Sequence, residues 1–351
     1  MTTASGGRKH PNGMTLESVA LLAGVSRATV SRVVNGSPKV SPQVRRDVES
    51  AIERLGYVPN RAARSLVTRR SGSFGLVITE PTGRLFSDPF FPRVLRGISG
   101  ELTARDLQLI LLMPNSSADV RRTGDYLSAG HVDGAVLVSL HGEDPLPARL
   151  SAAGIPLVLV GRPLRGVSAS YVDVDNRQGA RSAVEHLIAT GRRAVATIAG
   201  PQDMPAGIDR LSGYRDAIDA ARRATDATLE AIADFTQEGG AAAMTWLLAK
   251  RPDLDAVFAA SDLMAAGALS VLAAAGRRVP QDVAIVGYDD SPVATLTQPQ
   301  LSSVRQPIEE MGREVVRLLV EAVESTDRVQ RRVILATELV KRASSAGRPS
   351  P

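Results

Sequence analysis

The chain has no cysteine among its 351 residues, which excludes disulfides, thiolate metal sites and cysteine nucleophiles. Histidine is almost as scarce: His10, His131, His141 and His186 are the only four, and no two share the close spacing of a metal or acid–base pair. His186, in AVEHLIATG, reads as a helix-surface residue rather than a base. The chain also lacks HExxH, GxSxG and a P-loop, so the expectation is a protein that is not an enzyme and needs no cofactor or metal. Long apolar runs are missing too. The most apolar stretch, LMAAGALSVLAAAG at 263–276, is Ala-rich, falls short of the roughly 20 residues that span a bilayer, and reads as a buried helix. The opening MTTASGGRKHPNG has no apolar core of the secretory kind. A cytoplasmic protein with no membrane partner is expected.

Positive charge is abundant but confined. Residues 1–70 carry 12 Lys/Arg against 4 Asp/Glu, whereas residues 71–351 carry 30 against 33. The whole net charge of +5 therefore originates in the first fifth of the chain, as expected of a module that meets a polyanion. After 13 residues that read as disordered, Thr15 can cap a helix from Leu16 to Ala23 that Gly24 closes. Ser26 can cap a second helix carrying Thr29, Val30 and Val33, and Ser41-Pro42 opens a third, striped by Val44, Val48, Ile52 and Leu55 and ended by Gly56.

The stretch TLESVALLAGVSRATVSRVVNG fits a helix-turn-helix whose second helix has a polar, basic outer face. On it, Arg27, Ala28, Ser31 and Arg32 lie away from Val30 and Val33. Arginine can give two hydrogen bonds to guanine, and alanine can meet a thymine methyl. Thr15, Ser26, Thr29 and Asn35 suit phosphate oxygens, which position a protein without reading bases. Further on, NRAARSL (60–66) is too short for a stable isolated helix. Asn60 can cap it, Ala63 is small enough for close approach, and Tyr57 precedes it.

From Phe74 onward, apolar runs alternate with helix-length amphipathic segments: FGLVIT (74–79), LQLILLM (107–113), GAVLVSL (134–140), IPLVLV (155–160), AVATIAG (194–200), DAVFAAS (255–261) and VAIVGYD (283–289). This is the pattern of parallel sheets covered by crossover helices. Seven runs predict an α/β core of two doubly wound lobes behind the all-α headpiece, with ligands bound beyond the carboxyl ends of the strands.

The two stretches TLESVALLAGVSRATVSRVVNG and VSPQVRRDVESAIERLGYVPNRAARSL, with VDVDNRQGARSAVEHLIATG, DRLSGYRDAI and AASDLMAAGALSVLAAAGRRVPQDVAIVGYDD, resemble the lactose/galactose repressor family (LacI/GalR) over about residues 14–342. The resemblance implies a DNA-binding headpiece (14–58), a hinge helix and linker (59–72) and an effector-binding core (73–343) resembling periplasmic sugar-binding proteins. The first lobe would take about 73–175 and 305–327, the second about 176–304 and 328–343, with disordered tails at 1–13 and 344–351. It further implies a homodimer on double-stranded, pseudo-palindromic operator DNA, repression under the control of a small-molecule effector of carbohydrate type, and Leu66 wedged into the minor groove. By family position the effector would meet Phe90, Phe91, Arg162, Asp175, Arg210, Phe235, Ser261, Asp262 and Asp289. One departure is Gly161, where the family commonly carries an acidic residue. A solute-binding sensor without a DNA role is the alternative, against which the basic headpiece argues. The C-terminal ASSAGRPSP lacks leucine heptads, so a dimer is expected rather than a tetramer.

Overall fold

The computed structural model describes residues 14–58, 70–142, 144–164, 168–325 and 329–346. It divides into two compact units, residues 1–71 and 72–351. Asn60, Ala63, Leu66 and most of the expected hinge lie outside the described residues.

The first unit is three helices, α1 (Leu16–Ala23), α2 (Arg27–Val34) and α3 (Pro42–Leu55). Each starts where a side chain accepts a hydrogen bond from an otherwise orphaned amide: Thr15 from Ser18 N, Ser26 from Thr29 N and Ser41 from Val44 N. Gly24 and Gly56 stop α1 and α3 in the left-handed conformation that side chains disfavour. Val19, Ala20, Val30, Val33, Val48 and Ala51 form the core, with Val44, Ile52, Leu55 and Tyr57 half-buried around it.

The second unit holds two six-stranded sheets. The first contains β1 (Ser73–Ile78), β2 (Gln108–Leu112), β3 (Gly134–Val138), β4 (Leu157–Val160) and β5 (Ser170–Val174), all parallel, in the order β5-β4-β3-β1-β2. The second contains β6 (Val195–Ala199), β7 (Glu230–Ile232), β8 (Ala256–Ala259), β9 (Ala284–Asp289) and β10 (Ser302–Arg305), in the order β10-β9-β8-β6-β7. Near the C-terminus, β11 (Arg332–Leu335) pairs with β5 and β12 (Glu338–Val340) pairs antiparallel with β10. Helices cover both faces, so central strands such as β3, β4, β6 and β8 are buried at every residue. In the first lobe two of these helices, Phe90–Thr103 and Ile308–Glu324, nearly touch backbone to backbone. A Cβ on Gly97 would sit 2.2 Å from the Glu309 carbonyl oxygen, and one on Gly312 would sit 2.5 Å from that of Val94.

Two expectations need correction. Residues 332–335 belong to the first sheet rather than the second lobe, because their alternating pattern completes the open edge at β5; the last crossing between lobes falls between β11 and β12. Nor is the tail free from residue 344. Ser344 and Ser345 are buried, with Ser344 Oγ donating to Ile285 O (2.7 Å) and Ser345 Oγ to Ser302 Oγ (2.7 Å). Serine is small and its hydroxyl can bond to a neighbouring strand from the short 3-10 turn Ala343–Ser345, so a polar sequence here is compatible with burial. His186, half-buried, sits 2.8 Å from Ser345 Oγ, and burial holds its imidazole below the ordinary range.

Candidate functional sites

On α2 the apolar residues Val30 and Val33 are buried, leaving Arg27, Ala28 and Arg32 exposed together with Ser26 and Thr15. Ser31, Thr29 and Asn35 are half-buried. Asn35 Nδ2 donates to Ser31 Oγ (3.3 Å), while Thr29 Oγ1 lies 2.9 Å from Ser26 Oγ, so these polar groups are partly occupied as caps. Arg27 pairs with Glu17 at 2.9 Å, an exposed bridge worth little and easily exchanged for a phosphate or a base. Tyr57 packs on the core.

A cavity lies between the two lobes at the carboxyl ends of the strands, enclosing about 780 Å³ free of protein atoms, mouth included. Phe90, Phe91, Arg162, Arg210, Phe235, Ser261 and Asp289 all border it. Arg210 is its hub. Only 5% exposed, it donates through Nε to Asn176 Oδ1 (2.9 Å) and through Nη1 to the Ala260 carbonyl (2.6 Å), and Nη1 lies 3.6 Å from Asp289 Oδ1. Its guanidinium lies 3.8 Å from the Tyr288 ring centre and 5.6 Å from that of Phe235. Asn176 Nδ2 donates in turn to Asp173 Oδ1 (3.0 Å), and Asp173 accepts from Arg162 N (2.9 Å). A connected chain of buried donors and acceptors thus lies along the cavity, which fixes each group's orientation. Asp289 also accepts from Gln306 Nε2 (2.5 Å). Burial raises the Asp289 carboxyl, against the pull of Arg210.

Phe235 supplies the apolar surface. Its backbone is left-handed, φ +65, and its ring lies against Gly200, where a Cβ would meet Cζ at 2.2 Å. Arg84, from the short helix Thr82–Ser87 after β1, lies over the same ring at 5.4 Å. Phe90 and Phe91 meet edge to face at 5.4 Å, but Phe91 is mostly core. Ser261 is buried and caps the helix Asp262–Ala274 by accepting from Met264 N (3.2 Å).

Two expected contacts do not border the cavity. Asp175 is exposed and caps the helix Asn176–Ala189 by accepting from Gln178 N (2.9 Å); its position just past the strand end turns the carboxylate to the helix amides. Asp262 is 1% exposed and accepts from Ser303 Oγ (2.6 Å) and Ser291 N (2.7 Å). It anchors the turn carrying Asp289, and burial, with the neighbouring Asp289 charge, pushes its carboxyl far above the usual range. Arg162 borders the cavity, but both its Nε and Nη2 reach Asp209 of the second lobe at 2.7 Å. Gly161 has φ +93, a conformation side chains rarely adopt, so an acidic residue there would be strained. Sequence reasoning missed Arg84, Asp88, Asp173, Asn176 and Gln306, all bordering the cavity. The adjoining sequence DPFF and the crossing DVDN were the available signals.

These features define the class: a helix-turn-helix DNA-binding regulator built on a two-lobed solute-binding core. Residues 15–60 match the lacI family of bacterial regulatory proteins, and residues 184–345 match the periplasmic binding protein-like domain. The HTH-type transcriptional regulator CelR of Thermobifida fusca is 54% identical over 96% of this chain and 99% of its own. The ribose operon repressor of Halalkalibacterium halodurans is 33% identical over 95% of this chain and 97% of its own. Among solved structures, a transcriptional regulator CelR–cellobiose complex is 51% identical, covers 94% of this chain and 99% of that one, and has a TM-score of 0.76. The lac repressor dimer bound to operator and the anti-inducer ONPF is 26% identical over 95% of this chain and 99% of that one, at TM-score 0.82. The chain belongs to the lacI family of bacterial transcriptional regulators. No helix among the described residues is long and apolar enough to cross a membrane.

Proposed function

We propose that the protein is a cytoplasmic repressor that binds a pseudo-palindromic operator as a homodimer and responds to a carbohydrate, cellobiose being the first candidate. The observation that carries the effector reading is the pairing of Arg210 and Asp289 beside Phe235 in the interlobe cavity. A fixed donor and a fixed acceptor suit adjacent sugar hydroxyls, and the ring suits the apolar face of a pyranose. The CelR–cellobiose relative, 51% identical, supports this choice of sugar. Arg27, Ala28 and Arg32 would read bases, and Thr15, Ser26, Thr29, Ser31 and Asn35 would hold the backbone. Asn60, Ala63 and Leu66 would engage the minor groove. A sugar that closes the cleft changes the relation of the lobes, and through the dimer the spacing of the two headpieces. Isothermal titration with cellobiose, glucose and ribose tests the effector reading: saturable binding of cellobiose is expected, and binding of none of the three would reject a sugar of this class. A gel-shift titration tests the DNA reading, which requires binding that weakens steeply with salt.

A further inference from the structure

Beside the cavity, the lobes are joined by polar contacts whose chemistry differs. Arg162 holds Asp209, Arg93 Nη1 donates to the Asp289 carbonyl (3.1 Å), and Gly142 N donates to the Asp203 carbonyl (2.9 Å). A further contact is a histidine between two carboxylates. His141, from the loop after β3, places Nε2 2.9 Å from Glu80 Oε1 and Nδ1 3.0 Å from Asp203 Oδ2. Glu80 belongs to the first lobe and Asp203 to the loop after β6 in the second. None of the three borders the effector cavity.

The geometry requires a protonation state. An ionised carboxylate only accepts, and a neutral imidazole has one N–H. With carboxylates on both ring nitrogens, a neutral ring turns a lone pair toward one of them; only the imidazolium donates to both. Glu80 cannot easily relieve the conflict. It is 3% exposed, and its Oε1 also accepts from Arg84 Nη1 (2.8 Å) and Ser139 Oγ. Burial works to raise this carboxyl, but the hydrogen bond from His141, the Arg84 charge and Ser139 together hold it below the usual range. The bond to Glu80 is the strongest influence raising the imidazole, burial opposes it, and the bond to Asp203 raises it further. Among the described residues, Asp144, Arg121 and Arg149 border the same outer groove as His141. Asp144 accepts from Leu146 N, and Arg149 is held by Asp125.

We propose that His141 is a proton-dependent clasp of the cleft, so that closing the lobes around an effector takes up a proton and the effector binds more tightly as pH falls. Opening the lobes removes Asp203 but leaves Glu80, which travels with His141. The closed form therefore binds the proton more tightly than the open one. By linkage, the clasp contributes fully below the open-state pKa and is lost as pH rises through the closed-state value. The inference rests on the cleft being the effector site only for its effect on affinity.

Two measurements on the full chain test it. In the first, the imidazole of His141 is titrated by NMR without ligand, where the clasped arrangement of this structure exchanges with the open one and weights the observed pKa, and it is assigned by its loss in His141→Gln. An upward-shifted titration that falls in Asp203→Asn supports the clasp; a titration unchanged by that substitution overturns it. In the second, cellobiose affinity is measured at pH 6 and pH 8. Wild type should bind at least about threefold more tightly at pH 6, with proton uptake visible in buffers of different ionisation enthalpy. The ratio should fall toward one in His141→Gln and Asp203→Asn, while affinity at pH 8 stays close to wild type. An equal wild-type affinity at both pH values, or a ratio that survives in His141→Gln, overturns the proposal. Failure of cellobiose to bind at any pH rejects that sugar as effector, and the NMR titration then decides the clasp alone.

Discussion

Replacing Arg210 by methionine keeps most of its volume against Tyr288 while removing the charge at the centre of the cleft. Three partners lose a donor or counter-ion: the Ala260 carbonyl at 2.6 Å, Asn176 Oδ1 at 2.9 Å and Asp289 at 3.6 Å. Breaking one side of a buried ion pair typically costs about 3–5 kcal/mol, so the core should lose stability on that scale. The effector should lose one charge-assisted hydrogen bond, about 1.5–3 kcal/mol, which corresponds to roughly 10- to 150-fold in affinity. The pH dependence has a definite sign. Without Arg210, burial of Asp289 loses its largest opposing influence, leaving the Gln306 hydrogen bond and the Arg93 charge, and its folded-state pKa rises further above the unfolded value. The protonated form is then the one that folds, so the relative stability of the variant is best in mild acid and declines as pH rises. Chemical denaturation at pH 5.5 and 8, with calorimetric titration of cellobiose at both, measures all three effects. Wild-type sugar affinity in a folded Arg210→Met protein would refute the assignment of Arg210 as a ligand-binding donor.

The remaining substitutions separate groups that the cleft uses from groups beside it. Asp175→Ala should cost about 0.5–2 kcal/mol through loss of a helix cap and leave sugar affinity unchanged, as measured by thermal unfolding and calorimetry. Gly200→Ala places a methyl 2.2 Å from Phe235 Cζ; the ring must move, with an overpacking cost of about 1–3 kcal/mol and a clear loss of sugar affinity. Arg32→Ala should weaken operator binding by about 1–3 kcal/mol if it reads a base while sparing sugar binding, a contrast that anisotropy and calorimetry resolve together.

Much of this was legible because local signals agreed. Thr15, Ser26 and Ser41 cap the three headpiece helices, and Gly24 and Gly56 end two of them, as the residue types dictate. The seven apolar runs became β1–β4, β6, β8 and β9; apart from β2, a partly exposed edge strand, these are strands buried on both faces, which must be apolar throughout. The strands outside those runs are short or polar: β5 reads SYVDV, β7 is the three residues EAI and β10 reads SSVR, while β11 and β12 lie at sheet edges, where burial no longer writes itself into sequence. The cleft followed the same division. The strand end at Asp289 and the DRLSGY stretch at Arg210, which lies in the helix Pro205–Ala220, point to residues that border the cavity, yet a strand-end aspartate is equally a helix cap, as Asp175 is, or a buried anchor, as Asp262 is. Arg162 was legible as a residue at the cleft but not as a partner of Asp209, since pairing across lobes leaves no local pattern. The same limit hid His141, whose two carboxylates lie 61 and 62 residues away in sequence.

The central claim is coupling between a sugar in the cleft and DNA at the headpiece. Fluorescence anisotropy of an operator selected from a randomised palindromic library, titrated with the full-length protein with and without saturating cellobiose, measures it most directly. The account predicts a shift in operator affinity of about 5- to 150-fold, abolished in Arg210→Met at the same cellobiose concentration. Tight cellobiose binding with no change in operator affinity would contradict it.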